Sequence, residues 1–149
     1  MTALRGILVL AVVAILVAVA GVAMGDAPRS PDPAPSAADV AAARQRIAAG
    51  GPVVQEGKRE FDAEGCAGCH AIAATGAAGK LGPRLDTLAD DSVQDDIDNI
   101  VKPRADVVEG YEADLMPTDY AKRIPVDEIK AIATFIKAAS GGKGAGGGS

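Results

Sequence analysis

The two cysteines and the single histidine of this 149-residue chain lie together, in the sequence Cys66-Ala67-Gly68-Cys69-His70. Two cysteines cannot build a disulfide framework. A structural zinc site needs four ligands, and these three residues do not supply them. A thioredoxin-type C-x-x-C site is expected among β-strands, whereas the surrounding sequence has helical periodicity. The cluster therefore requires another explanation.

The spacing C-x-x-C-H is the attachment sequence of c-type haem. Cysteines three positions apart on a helical turn point the same way, so each thiol can add to one vinyl group of the same porphyrin. The composition agrees, since two Phe, two Tyr and no Trp leave a small domain short of core volume that a porphyrin can supply. We expect one covalently bound haem c at Cys66 and Cys69, with His70 as a ligand of its iron.

A haem iron with a histidine on one side needs a sixth ligand, usually a thioether sulfur or an imidazole. The chain has no second histidine, and its methionines are Met1, Met24 and Met116. A lone methionine is more often core filler than ligand, but Met1 and Met24 belong to the apolar N-terminal part of the chain. Elimination therefore selects Met116, which precedes Pro117, as the second iron ligand.

Residues 6–25 form an uninterrupted run of uncharged residues. As a helix this run would reach about 30 Å, the thickness of a bilayer hydrocarbon core. A cleaved signal peptide is the alternative, with Ala18-Val19-Ala20 as the cleavage site, but its apolar stretch is usually only about 7 to 15 residues. We favour a single retained transmembrane helix in a bacterial cell membrane. Arg5 before the run puts the N-terminus in the cytoplasm and the rest of the chain on the periplasmic or extracytoplasmic side.

The remaining chain divides by composition into three parts. Residues 26–51 are rich in proline and alanine and predict a linker, with a short helix over residues 37–49 that Ser36 caps and Asp39 supports. Residues 52–139 form the predicted working domain. Residues 140–149 are rich in glycine and predict a disordered tail.

The working domain is predicted to be all-α. Helices are expected over residues 53–62, from the cap Ser92 to a stop at Pro103, and over residues 126–139. The second of these carries Val93, Ile97, Ile100 and Val101 on one face and acidic residues on the other. No segment alternates in the manner of a β-strand.

A net charge of −5 argues against binding to nucleic acid. Part of it comes from an acidic run with two interpretations: a docking surface for a basic partner, or a solvated face, which we favour. The run comprises Asp86, Asp90, Asp91, Asp95, Asp96 and Asp98.

In their order along the chain, these motifs resemble the monohaem class I cytochromes c across residues 53–139. In that family a helix leads into C-x-x-C-H, a Gly-Pro follows, and a Met-Pro loop precedes the C-terminal helix. This chain has Gly82-Pro83 and Met116-Pro117 at those places. The resemblance implies a small cytochrome c fold in which the carbonyl of Pro83 accepts a hydrogen bond from Nδ1 of His70 and leaves Nε2 for the iron.

The resemblance has two further implications. Gly57 and Phe61 of the first helix are expected to cross Ile132 and Phe135 of the last. Residues 101–117 are similar to the segment before the axial methionine in cytochrome domains associated with terminal oxidases. That similarity places Tyr111 beside the haem, with a propionate as its hydrogen-bond partner.

The predicted function is electron transfer by a haem that cycles between Fe(II) and Fe(III) in a membrane respiratory or photosynthetic chain. Its expected partners are membrane complexes, such as a quinol-oxidising complex and a terminal oxidase, together with the bilayer around residues 6–25. The alternative is an integral haem c subunit of a membrane oxidase or reductase. A peroxidase-like enzyme would need an open iron position and a distal acid or base, and Met116 argues against one.

Overall fold

The computed structural model of the protein describes residues 32–141. These residues form five α-helices, two short 3-10 turns and one small hairpin. The helices are α1 (Ala37–Ala49), α2 (Gly51–Ala63), α3 (Val93–Val101), α4 (Tyr120–Arg123) and α5 (Val126–Ser140). The 3-10 turns are Cys66–Gly68 and Leu85–Thr87, and the hairpin pairs β1 (Ala71–Ile72) with β2 (Ala77–Ala78).

The predicted helix starts at Ser36 and Ser92 are confirmed. Each serine hydroxyl accepts a hydrogen bond from the backbone N–H three residues later, at 3.2 Å from Asp39 N and from Asp95 N. Each aspartate in turn accepts a hydrogen bond from the backbone N–H of its serine. These reciprocal pairs satisfy N–H groups that have no partner inside the helix. The serine and the aspartate of each pair lie within four residues of one another, so the sequence alone predicts these helix starts.

The crossing of α2 and α5 forms the centre of the core. The rings of Phe61 and Phe135 lie 5.4 Å apart, centroid to centroid, with their planes at 60°, and both side chains are fully buried. Gly57 lies against the backbone of Ala131, where any side chain would collide with the carbonyl. The expected crossing of Gly57 and Phe61 with the C-terminal helix is thus confirmed.

Helix α1 is part of the packed domain, although the sequence assigned residues 26–51 to a linker. Ala43 and Ile47 are buried. The guanidinium of Arg46 donates hydrogen bonds to the carbonyls of Ala138, at 2.9 Å, and Ala139, at 3.2 Å, near the end of α5. The packing therefore begins before residue 52. The alanine-rich sequence of α1 does not predict this contact, because the carbonyls that Arg46 reaches lie 92 and 93 positions away along the chain.

The described residues are mainly helical, as predicted, but two small elements were not predicted. Ala71 pairs with Ala78 and Ile72 with Ala77 in an antiparallel hairpin, whose turn uses Gly76 at φ +84°. A strand of two residues is too short to show alternation. Helix α4 was likewise not predicted, since one turn carries no periodic signal.

The predicted transmembrane helix over residues 6–25 lies outside the described residues. Among residues 32–141, none of the helices has the length and apolar character needed to cross a membrane. The described part of the predicted glycine-rich tail is Ser140, which ends α5, and Gly141, whose φ of +81° closes the helix.

Candidate functional site

The cysteine cluster follows directly from the end of α2. Gly65 adopts φ +77° and turns the chain into the 3-10 turn Cys66–Gly68; a left-handed conformation of this kind favours glycine. The carbonyl of Cys66 accepts hydrogen bonds from the backbone N–H of Cys69, at 3.1 Å, and of His70, at 2.9 Å. This tight turn holds both cysteines and the histidine together, and the two cysteines are half-buried and not joined in a disulfide.

One cavity brings together all six residues predicted for the site. Its lining includes Cys66, Cys69, His70, Pro83, Tyr111 and Met116. Much of the remaining wall is apolar and comes from α2, the turn at Leu85, α3 and α5, through Phe61, Leu85, Ile100, Ile132 and Ile136. An apolar chamber with two thiols, an imidazole and a thioether on its walls fits a covalently bound haem, because it offers attachment points, iron ligands and a dry surround.

The Gly82-Pro83 segment contacts the imidazole of His70. Its Nδ1 lies 2.9 Å from the carbonyl oxygen of Pro83. A carbonyl only accepts, so this contact requires a proton on Nδ1 and leaves the Nε2 lone pair free. The hydrogen bond that the family resemblance implied is therefore present.

Packing and burial act on the same ring. A Cβ atom added to Gly82 would lie 2.6 Å from Cε1 of His70, so only glycine lets the backbone approach the imidazole this closely. Burial lowers the pKa of His70, and the hydrogen bond to Pro83 opposes that effect in part. The lowered pKa favours the neutral form of the ring, which is the form that can bind a metal ion.

The thiol of Cys66 differs from the reactive cysteine of a thiol oxidoreductase. Burial raises the pKa of Cys66 to about 11, and the nearby Glu64 carboxylate adds to the effect. Disulfide exchange needs a thiolate at neutral pH, and exchange enzymes lower the pKa of their cysteine accordingly. This environment disfavours the thioredoxin-type alternative on a second, independent ground.

Tyr111 lines the cavity, and its hydroxyl donates a hydrogen bond to Oδ2 of Asp32 at 2.9 Å. The same carboxylate oxygen accepts from the backbone N–H of Arg84, also at 2.9 Å. Asp32 therefore ties the start of the described chain to two loops around the cavity. The predicted bond of Tyr111 to a haem propionate stays a prediction.

The acidic run is less of a surface feature than the sequence suggests. The carboxylate of Asp86 is only 5% exposed and lies 2.9 Å from Nη2 of Arg84, and it also accepts from the backbone N–H of Ala73 at 2.7 Å. Asp96 is buried on the apolar face of α3 and lines the cavity. Two of the six aspartates are thus withdrawn from solvent.

Sequence reasoning missed Asp96 as a cavity residue. It stands four positions before Ile100 and three after Val93, a spacing that puts it on the same helical face as these apolar residues. The spacing was a usable signal, but aspartates at positions 95 and 98 made the residue look like part of a charged face.

The sequence model of the family described as Cytochrome c matches residues 54–140. The chain belongs to the cytochrome c family. Its haem c is covalently attached, and Cys66 and Cys69 are the cysteines of the C-x-x-C-H motif that attaches it. This cytochrome c is thus a haem-based electron carrier. Comparison with curated proteins and with solved structures gave no match.

Proposed function

We propose that His70 and Met116 would be the two protein ligands that hold the haem iron and that the protein carries single electrons without exposing the iron to substrate. The observation that supports this is their position on the wall of one cavity together with both cysteines. His70 is the only histidine in the sequence. Met1 and Met24 lie outside the described residues, whereas Met116 packs against the buried core.

Each side chain has a defined task in this proposal. Bound haem c supplies one-electron exchange between ferric and ferrous iron. His70 keeps its proton on Nδ1, against Pro83, so that Nε2 is the ligating atom. Met116 offers a soft sulfur, which favours ferrous iron and raises the reduction potential.

The apolar wall of the cavity favours electron transfer because it excludes water. Phe61, Ile132 and Leu85 are buried and line the cavity. A dry, rigid surround keeps solvent reorganisation small when the charge changes by one electron, and it also tunes the potential. Leu81 and Leu115, each about half exposed at 56% and 50%, also line the cavity and form an apolar part of its rim.

The proposal includes a membrane setting. Residues 6–25 would anchor the chain in a bacterial cell membrane, with Arg5 on the cytoplasmic side and the haem domain on the other. The carrier would then move electrons between membrane complexes, from a quinol-oxidising complex to a terminal oxidase. The similarity of residues 101–117 to oxidase-associated cytochrome domains supports that choice of acceptor.

Ligand access to the iron tests the carrier function. The full chain, purified in mild detergent, should not bind carbon monoxide when reduced and should not turn over peroxide when oxidised. It should nevertheless exchange electrons rapidly with a membrane oxidase. Ready binding of carbon monoxide, together with peroxide turnover, would show an open iron and an enzyme in place of a carrier.

The membrane setting has its own test in cell fractionation and N-terminal mass analysis. A retained anchor requires detergent for extraction and leaves residues 1–25 on the mature protein. A soluble protein that begins near Gly21 would show that the segment is a signal peptide. Stable co-purification with oxidase or reductase chains would favour the alternative of an integral haem subunit.

A further inference from the structure

Asp96 is a buried acid without a hydrogen-bond partner for one of its carboxylate oxygens. The residue is 4% exposed, and its Oδ2 is the buried side-chain polar atom of residues 32–141 that makes no hydrogen bond. It lines the same cavity as Cys66, His70 and Met116. Burial of an unpaired carboxylate is strongly unfavourable, and burial of the protonated acid is much less so.

Lys137 is the cation that lowers the pKa of Asp96, but it does not pair with this acid. Nζ of Lys137, on α5, donates hydrogen bonds to the backbone carbonyls of Asp91 and, at 3.1 Å, of Ala89. None of the ion pairs within 4.0 Å among the described residues joins Lys137 to Asp96. Lys137 therefore acts on the carboxylate through space, because the hydrogen bonds of its ammonium group go to these two carbonyls.

The other charges near Asp96 act mainly against ionisation. The pKa of Asp96 is raised to about 7, chiefly by burial and in part by the carboxylates of Asp91 and Asp95, while Lys137 opposes the rise. Asp91 precedes α3, and its pKa is itself raised by burial. The other titratable groups that line the cavity are Cys66, Cys69, His70, Asp106, Tyr111, Glu112 and Tyr120.

We propose that Asp96 is a proton-binding site linked to the oxidation state of the haem: its carboxylate takes up one proton from solvent when the haem accepts one electron, and releases it when the electron leaves. The electron comes from the donor of the carrier, and the single bond that forms is the O–H bond of the carboxyl group. This proposal rests on the covalent haem in the cavity and not on Met116 as the sixth ligand.

The direction of the coupling follows from charge. Ferric haem carries one more positive charge than ferrous haem, so it favours the carboxylate and lowers its pKa relative to the reduced protein. Between the two pKa values, reduction binds a proton, and the reduction potential therefore falls as the pH rises. In that window the equilibrium constant changes up to tenfold per pH unit, about 59 mV for a one-electron couple.

Redox titration of the holoprotein across about pH 5 to pH 9 tests the proposal with two variants. The wild-type potential should fall with a slope centred near neutral pH. Asp96→Asn removes the titrating group and should abolish that slope, with a potential above that of the wild type at the alkaline end. Asp98→Asn changes an exposed acid of the same helix and should keep the wild-type slope.

Two outcomes would overturn the proposal. A wild-type potential that does not change with pH would mean that no proton is coupled to reduction in this range. An unchanged slope in Asp96→Asn would assign the proton to another group, such as a haem propionate.

Infrared difference spectroscopy of the wild-type holoprotein gives an independent result, which stands even where Asp96→Asn fails to fold. Reduction should produce the C=O band of a protonated carboxyl group, and labelling with 13C-aspartate should shift it. Haem propionates are not labelled in this way, so they cannot cause the shift. Asp91→Asn removes a carboxylate that raises the pKa of Asp96, so it should retain the band with its pH dependence moved to lower pH. The absence of a label-sensitive band in the wild type, or its loss in Asp91→Asn at every pH, would contradict the role of Asp96.

Discussion

Gly57 of α2 lies directly against the main chain of Ala131 in α5, so that a Cβ atom added to Gly57 would lie 1.9 Å from the Ala131 carbonyl oxygen. The colliding atom belongs to the backbone and not to a flexible side chain. The two helices therefore approach this closely only because residue 57 has no side chain. The same approach brings Phe61 and Phe135 together one turn further along α2.

Gly57→Ala should destabilise the domain through this contact. The helices must move apart, which loosens the aromatic packing beneath them, and overpacking of this kind costs about 1–3 kcal/mol. Urea unfolding of the holoprotein measures the loss. Lys58→Ala is the matched control, since its ion pair with Asp62 is exposed and worth less than about 1 kcal/mol. Equal stability of Gly57→Ala and wild type would contradict the close crossing.

Gly82→Ala should displace the imidazole of His70. The new methyl group would lie 2.6 Å from Cε1, so the ring must rotate and its bond from Nδ1 to the Pro83 carbonyl must lengthen. Pro83→Ala should do less, because the backbone carbonyl remains. NMR of the ferrous protein should show faster solvent exchange of the His70 Nδ1 proton in Gly82→Ala only. Equal exchange rates in the two variants would argue against this support of the ring.

Thioether bonds at Cys66 and Cys69 predict that haem stays with the polypeptide when the protein is denatured. Acidified acetone breaks axial ligation but not thioethers, so the colour should remain in the protein pellet. Replacement of both cysteines by alanine should let the solvent extract the haem, and replacement of one should leave it attached through the other. Extraction of haem from the wild-type protein would contradict covalent attachment.

The free energy of unfolding should vary with pH because Asp96 titrates at a different pH in the folded and unfolded protein. Its pKa is about 7 in the folded protein and near 3.9 in an unfolded chain, so unfolding releases a proton between these values. The protonated Asp96 therefore stabilises the folded protein fully below about pH 4, and this stabilisation is lost as the pH rises towards 7. Its size is on the order of 2 kcal/mol after allowance for solvent screening. Urea unfolding at several pH values measures it.

Asp96→Asn cannot lose that proton, so its unfolding free energy should rise relative to the wild type as the pH rises from about 4 to about 7. Asp98→Asn should follow the wild type at every pH. A difference between Asp96→Asn and wild type that does not vary with pH would mean that Asp96 has an ordinary pKa.

The parts of the fold that could be predicted are those whose signals are local. Two helix starts are defined within four residues each, by Ser36 with Asp39 and by Ser92 with Asp95. The apolar period of its sequence defines α5. The packing of α1 on α5 could not be predicted, because Arg46 reaches the carbonyl of Ala138 across 92 positions. Pairing at that separation leaves no trace in a single sequence.

The site divides in the same way. Cys66, Cys69 and His70 are adjacent in sequence, and their spacing alone predicted the cofactor. Pro83 was predicted only through the family resemblance, since nothing in the spacing specifies a carbonyl at residue 83. The burial of Asp96 was missed because its helical position predicts a buried residue, whereas the aspartates around it predict an exposed one. Only the packing of the folded chain decides between these two predictions.

The sulfur-to-iron charge-transfer band of the oxidised protein tests the central claim most directly, because it requires a bond between Met116 and ferric iron. The wild-type holoprotein should show the band. Met116→Ala should lose it, acquire a lower potential and bind carbon monoxide when reduced, whereas Leu115→Ala, at an exposed neighbouring position, should keep it. Absence of the band in the wild type, or its survival in Met116→Ala, would contradict the axial role of Met116 and with it the closed-iron carrier.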